Sequence, residues 1–298
     1  MPEPGASLRG SLCATTALAL VGSLVAASDV VEGYPLAAGQ ALRYLLAACV
    51  LVLLAHGRLP RLRPREALGL AALAATGLVL FNLFVIEGVR ETDPATVGVI
   101  VGCVPVVLAV AAPLLTGRAV STGVLAAAVV VAVGAAGVQW ADGGITLAGL
   151  LLALGALACE ACFSLLAAPH LERLGPLAVS AYACLFAVPM LAVWSLIADG
   201  PSLPAPTAGE AAAIAYLGVA VTTIGFVAWY TAVGLLGVER AGLFSGVLPV
   251  SALACSAALG VAGVTPQRLA AVAVVAAGIT LGMRAGTPRP AAAPAGAG

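Results

Sequence analysis

Two charged residues lie well inside long apolar stretches of the sequence, and they are its first candidates for chemistry: Arg43 and Glu160. An ionisable group in hydrocarbon is costly, so it normally faces a cavity or a partner. Two interpretations stay open for Glu160, a protonatable coupling carboxylate or a permanently paired or solvated charge. Arg43 is either an anchor for a substrate carboxylate or phosphate, or a structural contact between helices. The two residues form an ion pair only if their helices face each other.

Five uncharged polar or aromatic residues complete the predicted substrate-binding set with Arg43: Gln40, Tyr44, Asn82, Trp229 and Tyr230. Asn82 is the strongest of these candidates, because an amide in hydrocarbon needs partners from other helices or from a substrate. Trp229 and Tyr230 either wall a central cavity or belong to an interfacial belt of aromatic residues. Glu160 is the predicted coupling residue.

Several familiar chemistries have no support in the sequence. Cys159 and Cys162 form a C-x-x-C pair, but a zinc site usually needs four ligands, and no histidine or second pair lies nearby. All thirteen cationic residues are arginine, and the absence of lysine excludes a Walker A motif. We therefore expect no metal, no cofactor and no enzymatic activity.

The composition and the spacing of the apolar runs indicate the elements that position these residues. Of 298 residues, 62% are hydrophobic and 9% are charged, which is too apolar for a water-soluble domain. A bilayer core needs roughly 20 apolar residues per helix. The sequence predicts an all-α integral membrane protein with ten transmembrane helices, at about residues 10–29, 35–56, 66–88, 94–116, 119–139, 146–168, 176–198, 210–233, 240–260 and 266–284.

The distribution of arginine predicts the orientation of these helices. Cytoplasmic loops carry the cationic excess, and placing both termini inside puts ten arginines on the inner side, at positions 9, 58, 61, 63, 65, 118, 173, 240, 284 and 289. Only Arg90 and Arg268 then fall outside. Usage rich in alanine and arginine, without lysine, suggests a GC-rich bacterial gene. We expect a multi-pass protein of the bacterial inner membrane with cytoplasmic termini.

The sequence repeats itself with a shift of 144 residues. This shift pairs Gly98 with Gly242 and Pro105 with Pro249. Because each repeat holds an odd number of helices, the second copy must insert upside down, and inverted repeats are typical of secondary transporters. We predict a short cytoplasmic N-terminus at 1–9, a five-helix repeat at 10–140, an inverted copy at 146–284 and a disordered cytoplasmic tail at 285–298.

The stretch Pro35 to Ala48, and the passage Gly88 to Pro105 with its counterpart Gly234 to Pro249, resemble EamA-type members of the drug/metabolite transporter superfamily. The resemblance implies a ten-helix carrier that moves a metabolite, amino acid or drug-like solute, frequently outward, with helices 1, 3, 4, 6, 8 and 9 around the solute. It also favours a scaffold role for Arg43. Proton coupling and a homodimer stay open, and the alternatives are a non-transporting assembly subunit or a flippase for lipid-linked substrates.

Overall fold

The structure is a computed structural model that describes residues 4–24, 34–139, 146–198, 200, 204–260 and 264–285. Within these residues the secondary structure is helical. In this described part of the chain, eight helices are long and apolar enough to cross a membrane. With two further helices, numbered in chain order, they are α1 Pro4–Gly22, α2 Leu36–Leu54, α3 Pro64–Glu91, α4 Pro94–Leu115, α5 Thr122–Gln139, α6 Leu147–Leu165, α7 Ala168–Ala198, α8 Ala208–Leu236, α9 Val238–Ala258 and α10 Pro266–Arg284.

Most predicted helix boundaries lie within a few residues of the observed ones. The largest differences are at α1, which begins at Pro4 and not at residue 10, and at α7, which begins at Ala168 and not at residue 176. Gly175 interrupts α7 with a backbone φ of 76°, so the predicted start marks the second part of a broken helix. The predicted end of the first span, and the predicted tail beyond residue 285, lie outside the described residues.

Proline and capping residues set several helix starts. Pro94 and Pro266 occupy the first turn of α4 and α10, where a missing N–H removes no helical hydrogen bond. The Asp93 side chain caps α4 by accepting from the Thr96 backbone N–H, and Thr265 caps α10 in the same way. These caps fix where consecutive helices turn back on each other.

The helices pack in pairs that join the two halves of the chain. α5 packs on α10, α2 on α7, α4 on α9, α1 on α8, and α3 on α6. The α5–α10 crossing is reciprocal: a Cβ on Gly134 would lie 2.8 Å from the Val275 backbone nitrogen, and one on Gly278 would lie 3.0 Å from that of Val131. These four residues pair under the 144-residue shift. Glycine is required here because the backbones approach closely.

Two helices contain π-helical turns, Ala74–Leu80 within α3 and Leu217–Ile224 within α8. Two others are interrupted ahead of a proline. α4 breaks at Gly102 and Cys103, before Pro105, and α9 narrows to a 3-10 turn at Phe244–Gly246, before Pro249. Such irregularities concentrate near functional sites in helical proteins. The two helices with π-helical turns and the two interrupted helices all line the same internal cavity.

Candidate functional site

A cavity of about 400 Å³ lies between the two halves of the chain. Its described wall comes from α1, α2, α3, α4, α6, α8 and α9, which includes every helix expected from the family resemblance, together with α2. The cavity reaches the end of the bundle where α3 ends and α4 begins, because Val89 and Pro94 line it. For the residues that the structure describes, we call this the open end. The opposite end, where α9 begins, is packed by buried residues that include Leu108 and Leu243.

Arg43 lines the cavity but is held by its neighbours. Its Nε donates a hydrogen bond to Thr222 Oγ1 at 2.7 Å, and the guanidinium carbon lies 5.4 Å from the ring centroid of Tyr44. The residue is 8% exposed. Thr222 in turn donates to the Leu217 carbonyl at 2.9 Å. This chain of hydrogen bonds ties α2 to the π-helical turn of α8 through the Nε of Arg43 alone, so both roles predicted for Arg43 stay open.

Asn82 and Tyr44 lie side by side on the same wall. The amide Nδ2 of Asn82 donates to the Leu78 carbonyl one turn earlier. Because only the NH₂ group can donate to a carbonyl, the amide oxygen is the part left to accept a hydrogen bond from another group. The two residues therefore place one acceptor and one hydroxyl at the cavity.

Glu160 lies on the cavity wall contributed by α6 and is partly buried. The described residues supply no hydrogen bond or ion pair to its carboxylate; their ion pairs join Arg90 to Glu87, Arg118 to Glu239 and Arg173 to Glu66. The sequence predicted an ion pair between Arg43 and Glu160 only if their helices face each other. That ion pair is absent from the described part of the chain. α2 packs against α7 and α8, which places the two charged residues in one cavity without pairing them.

Aromatic side chains form the deep part of the wall. Trp229 is 6% exposed and its indole Nε1 donates to Ser164 Oγ at 3.1 Å, so this residue faces the interior and not an interfacial belt. The rings of Phe163 and Phe226 lie 4.9 Å apart, and both residues line the cavity. Most other lining residues are small or aliphatic.

Two predicted site residues lie away from the cavity wall. Tyr230 is fully buried and packs its ring 5.0 Å from that of Phe163, behind the wall. Gln40 precedes Arg43 by one turn of α2, and its buried Oε1 accepts no hydrogen bond from the described residues. Both residues were predicted from their depth in the membrane alone, and this depth does not specify which side of a helix faces the solute.

Comparison with known proteins gives the family. The model of the EamA-like transporter family matches residues 8–140 and again residues 147–284. The chain belongs to this family. Its apolar helices and its EamA membership make it a multi-pass membrane protein. Membership of a transporter family also favours a role other than catalysis.

Other matches of this EamA protein agree with that assignment. It is 28% identical over 251 residues to the uncharacterized transporter YetK of Bacillus subtilis (strain 168), and the match covers 80% of this chain and 76% of YetK. A solved crystal structure superposes with a TM-score of 0.77, covering 92% of this chain and 96% of the other at 21% identity. At that identity the likeness shows the fold alone.

The sequence analysis missed two features of this EamA site. Gly77, in the π-helical turn of α3, lines the cavity, and a Cβ there would lie 2.9 Å from Cβ of Phe163. Gly218, in the π-helical turn of α8, approaches the Arg43 carbonyl equally closely, since an added Cβ would lie 3.0 Å from it. The small residues themselves were visible in the sequence, but the change of helical register was not.

Proposed function

We propose that this protein is a secondary transporter that exports a small metabolite, amino acid or drug-like solute across the bacterial inner membrane by alternating access. The observation that carries the proposal is the cavity between the two halves, with Asn82 and Glu160 on its wall. A solid apolar core at that position would have favoured an assembly subunit. The volume of about 400 Å³ falls within the range of roughly 300–1,000 Å³ that is typical of small-molecule sites.

The substrate-binding part of the proposal uses Arg43, Tyr44, Asn82 and Trp229, which the cavity brings together. Gln40 and Tyr230 lie outside the cavity lining, and we assign them no contact with the solute. We give Glu160 the coupling role, because it is a carboxylate in the solute's path without a basic partner among the described residues. A coupling group must be able to load and release a proton or a cation during the cycle.

Alternating access requires two halves that can exchange conformations. We propose two inverted five-helix repeats, residues 10–140 and 146–284, within ten transmembrane helices. Support comes from the reciprocal α5–α10 crossing, in which Gly134 and Gly278 make the same contact from opposite sides. With both termini cytoplasmic, as the arginine distribution predicts, the open end of the cavity faces outward. A homodimer is compatible with this arrangement.

The test is a substitution that fills the cavity without disturbing the packing around it. An added Cβ at Gly225, which lines the cavity, meets nothing closer than the Ala220 carbonyl at 3.9 Å. Gly225→Leu therefore projects into the solute's space. Gly234→Leu is the matched control on α8, because Gly234 is exposed and its Cβ would have no neighbour within 4 Å.

Cells that carry the gene, and cells that lack it, are fed uniformly ¹³C-labelled glucose, and labelled solutes are measured in the medium by mass spectrometry. We expect wild type and Gly234→Leu to release at least one solute that the cells without the gene retain. Gly225→Leu should reduce that release about tenfold or more, which corresponds to a loss of about 1.4 kcal/mol. Equal release by Gly225→Leu would contradict a path through the cavity, and no difference between wild type and cells without the gene would contradict export.

A further inference from the structure

Four arginines lie close together in the chain at the packed end of the bundle, where α2 connects to α3. They are exposed, and they are Arg58, Arg61, Arg63 and Arg65. We call residues 58–65 the arginine segment. The corresponding connection between α7 and α8, residues 199–207, contains no arginine. The positive charge therefore belongs to this segment and not to the repeated fold.

The arginine segment has an inner and an outer side. Leu59 and Leu62 are partly buried and pack against the main hydrophobic core of the protein. The arginines between and after these leucines are exposed. The packing of the leucines thus keeps the guanidinium groups on the surface.

Hydrogen bonds from α7 fix the backbone of the arginine segment. The Tyr182 hydroxyl donates to the Pro60 carbonyl at 2.7 Å, and the Arg173 guanidinium donates to the Arg61 carbonyl at 3.3 Å. Charge alone is enough to orient helices during insertion, so orientation does not require this order. The segment presents its arginines on a fixed backbone, as a binding surface does.

The carboxylates near the arginine segment leave it with a surplus of positive charge. Glu66 is bound by the Arg173 guanidinium and by the Arg63 backbone N–H. Glu172 is exposed on α7 and forms no ion pair with the described residues. The ion pairs of the described residues also include none of the four arginines of the segment. Their guanidinium groups are available to an anion from outside the protein.

Exposed leucines flank the arginine segment on both sides. Leu53 and Leu54, in the last turn of α2, are 74% and 55% exposed, and Leu68, near the start of α3, is 74% exposed. In a multi-pass membrane protein such side chains face the acyl chains of the lipids. Arginines next to them lie at the level of the lipid headgroups, which the long side chain can reach.

We propose that the arginine segment binds the phosphate headgroups of anionic phospholipids, whose acyl chains lie against the flanking leucines. A guanidinium binds a phosphate through two parallel hydrogen bonds. Near an anionic lipid surface each basic residue strengthens the attraction about fivefold. A zwitterionic lipid has a phosphate too, but the surplus of positive charge repels its ammonium group. The proposal concerns the outer surface of the bundle and does not depend on the transport function.

Native mass spectrometry of the purified full-length protein measures the bound lipid directly. The protein, in a nonionic detergent, is mixed with equal amounts of phosphatidylglycerol and phosphatidylcholine that have the same acyl chains. We expect the protein to retain about tenfold more phosphatidylglycerol. Soluble glycerol phosphate, added at the same concentration, should leave this ratio unchanged because it has no acyl chains. This competition uses the unaltered protein and needs no variant to fold.

A pair of double variants then assigns the preference to the arginine segment. Arg61→Gln/Arg63→Gln removes two charges and keeps the backbone groups that bond to Arg173 and Glu66, so the preference should fall to about twofold or less. Arg90→Gln/Arg284→Gln is the control, because it removes two exposed arginines elsewhere, at the ends of α3 and α10. Its preference should match wild type.

Four results would overturn the proposal. In wild type they are failure to retain phosphatidylglycerol in excess over phosphatidylcholine, and displacement of the lipid by glycerol phosphate, which would indicate a site for a free phosphate. In the variants they are an undiminished preference in Arg61→Gln/Arg63→Gln, and an equal loss in both double variants, which would indicate an effect of net charge.

Discussion

The segments Gly98–Pro105 of α4 and Gly242–Pro249 of α9 correspond under the 144-residue shift, yet they have different surroundings. In α4, Gly98 and Gly102 are partly exposed and line the cavity. In α9, Gly242 and Gly246 are buried: a Cβ on Gly242 would lie 2.9 Å from the Leu108 side chain, and one on Gly246 would lie 2.7 Å from both Val131 and Val275. The two glycines of α4 face the cavity, whereas the two glycines of α9 are enclosed by neighbouring side chains.

This difference shows how a repeated sequence can form an asymmetric structure. Under the alternating access that we propose, the open segment in one half and the enclosed segment in the other describe one state of a pair that exchanges roles. In the opposite state we expect Gly98 and Gly102 to become enclosed while Gly242 and Gly246 separate from their neighbours. The following substitutions test the two segments and the two ends of the bundle against each other.

The largest effect on stability is expected from adding a methyl group to the enclosed segment. Gly246→Ala would force its Cβ against Val131 and Val275, two β-branched residues that are 0% and 2% exposed and have little rotamer freedom. We expect a loss of about 1–3 kcal/mol in the free energy of unfolding, as for other overpacked cores. Thermal unfolding of the purified protein in detergent measures it.

Gly102→Ala is the matched variant in the open segment. Its nearest neighbour on another helix would be Ala135 at 3.7 Å, and its closest contact overall is the Gly98 carbonyl of its own helix at 3.0 Å. We expect a loss of less than about 1 kcal/mol, because the φ of -60° at Gly102 suits alanine and the Ala135 side chain is at ordinary contact distance. Export should nevertheless fall, since the alternating access that we propose requires this segment to close. Equal destabilisation by the two variants would contradict the asymmetry.

Much of this architecture could be predicted from the sequence, because apolar runs of membrane length, prolines at helix starts and a repeated glycine motif each have a direct structural consequence. Asn82, Glu160 and Trp229 were assigned to the cavity from their depth and polarity, and they line it. Tyr230 has the same depth and points behind the wall. α3 and α8 each contain a π-helical turn, which changes the register of the helix, and no residue type reports such a change.

A medium effect is expected at the packed end from removing the partner of Glu66. Arg173 binds both carboxylate oxygens of Glu66, whose side chain is only 12% exposed, and thereby joins α7 to the start of α3. Arg173→Ala leaves that carboxylate with the Arg63 backbone N–H alone. We expect the unfolding temperature to fall by a few degrees, less than for Gly246→Ala, because solvent at Arg173 screens the pair.

Arg65→Ala provides the control for this pair. Arg65 lies one residue before Glu66 in the first turn of α3 and is exposed. Its loss removes a positive charge from the same region without breaking the bidentate contact. If Arg65→Ala and Arg173→Ala lower the unfolding temperature equally, net charge and not the ion pair stabilises this end.

The smallest effect is expected from Arg118, whose guanidinium pairs with Glu239 and links the segment after α4 to the start of α9. Arg90 at the open end pairs with Glu87 three residues earlier in the same helix, so that pair links no separate elements. Each pair contributes less than about 1 kcal/mol, because Arg118 and Arg90 are 55% and 67% exposed.

Only Arg118→Ala should raise the rate of backbone hydrogen exchange over residues 238–246, since the ion pair between Arg118 and Glu239 holds the enclosed segment in place. If exchange there rises equally in Arg90→Ala, or in neither variant, packing of Gly242 and Gly246 keeps this end closed without help from the ion pair.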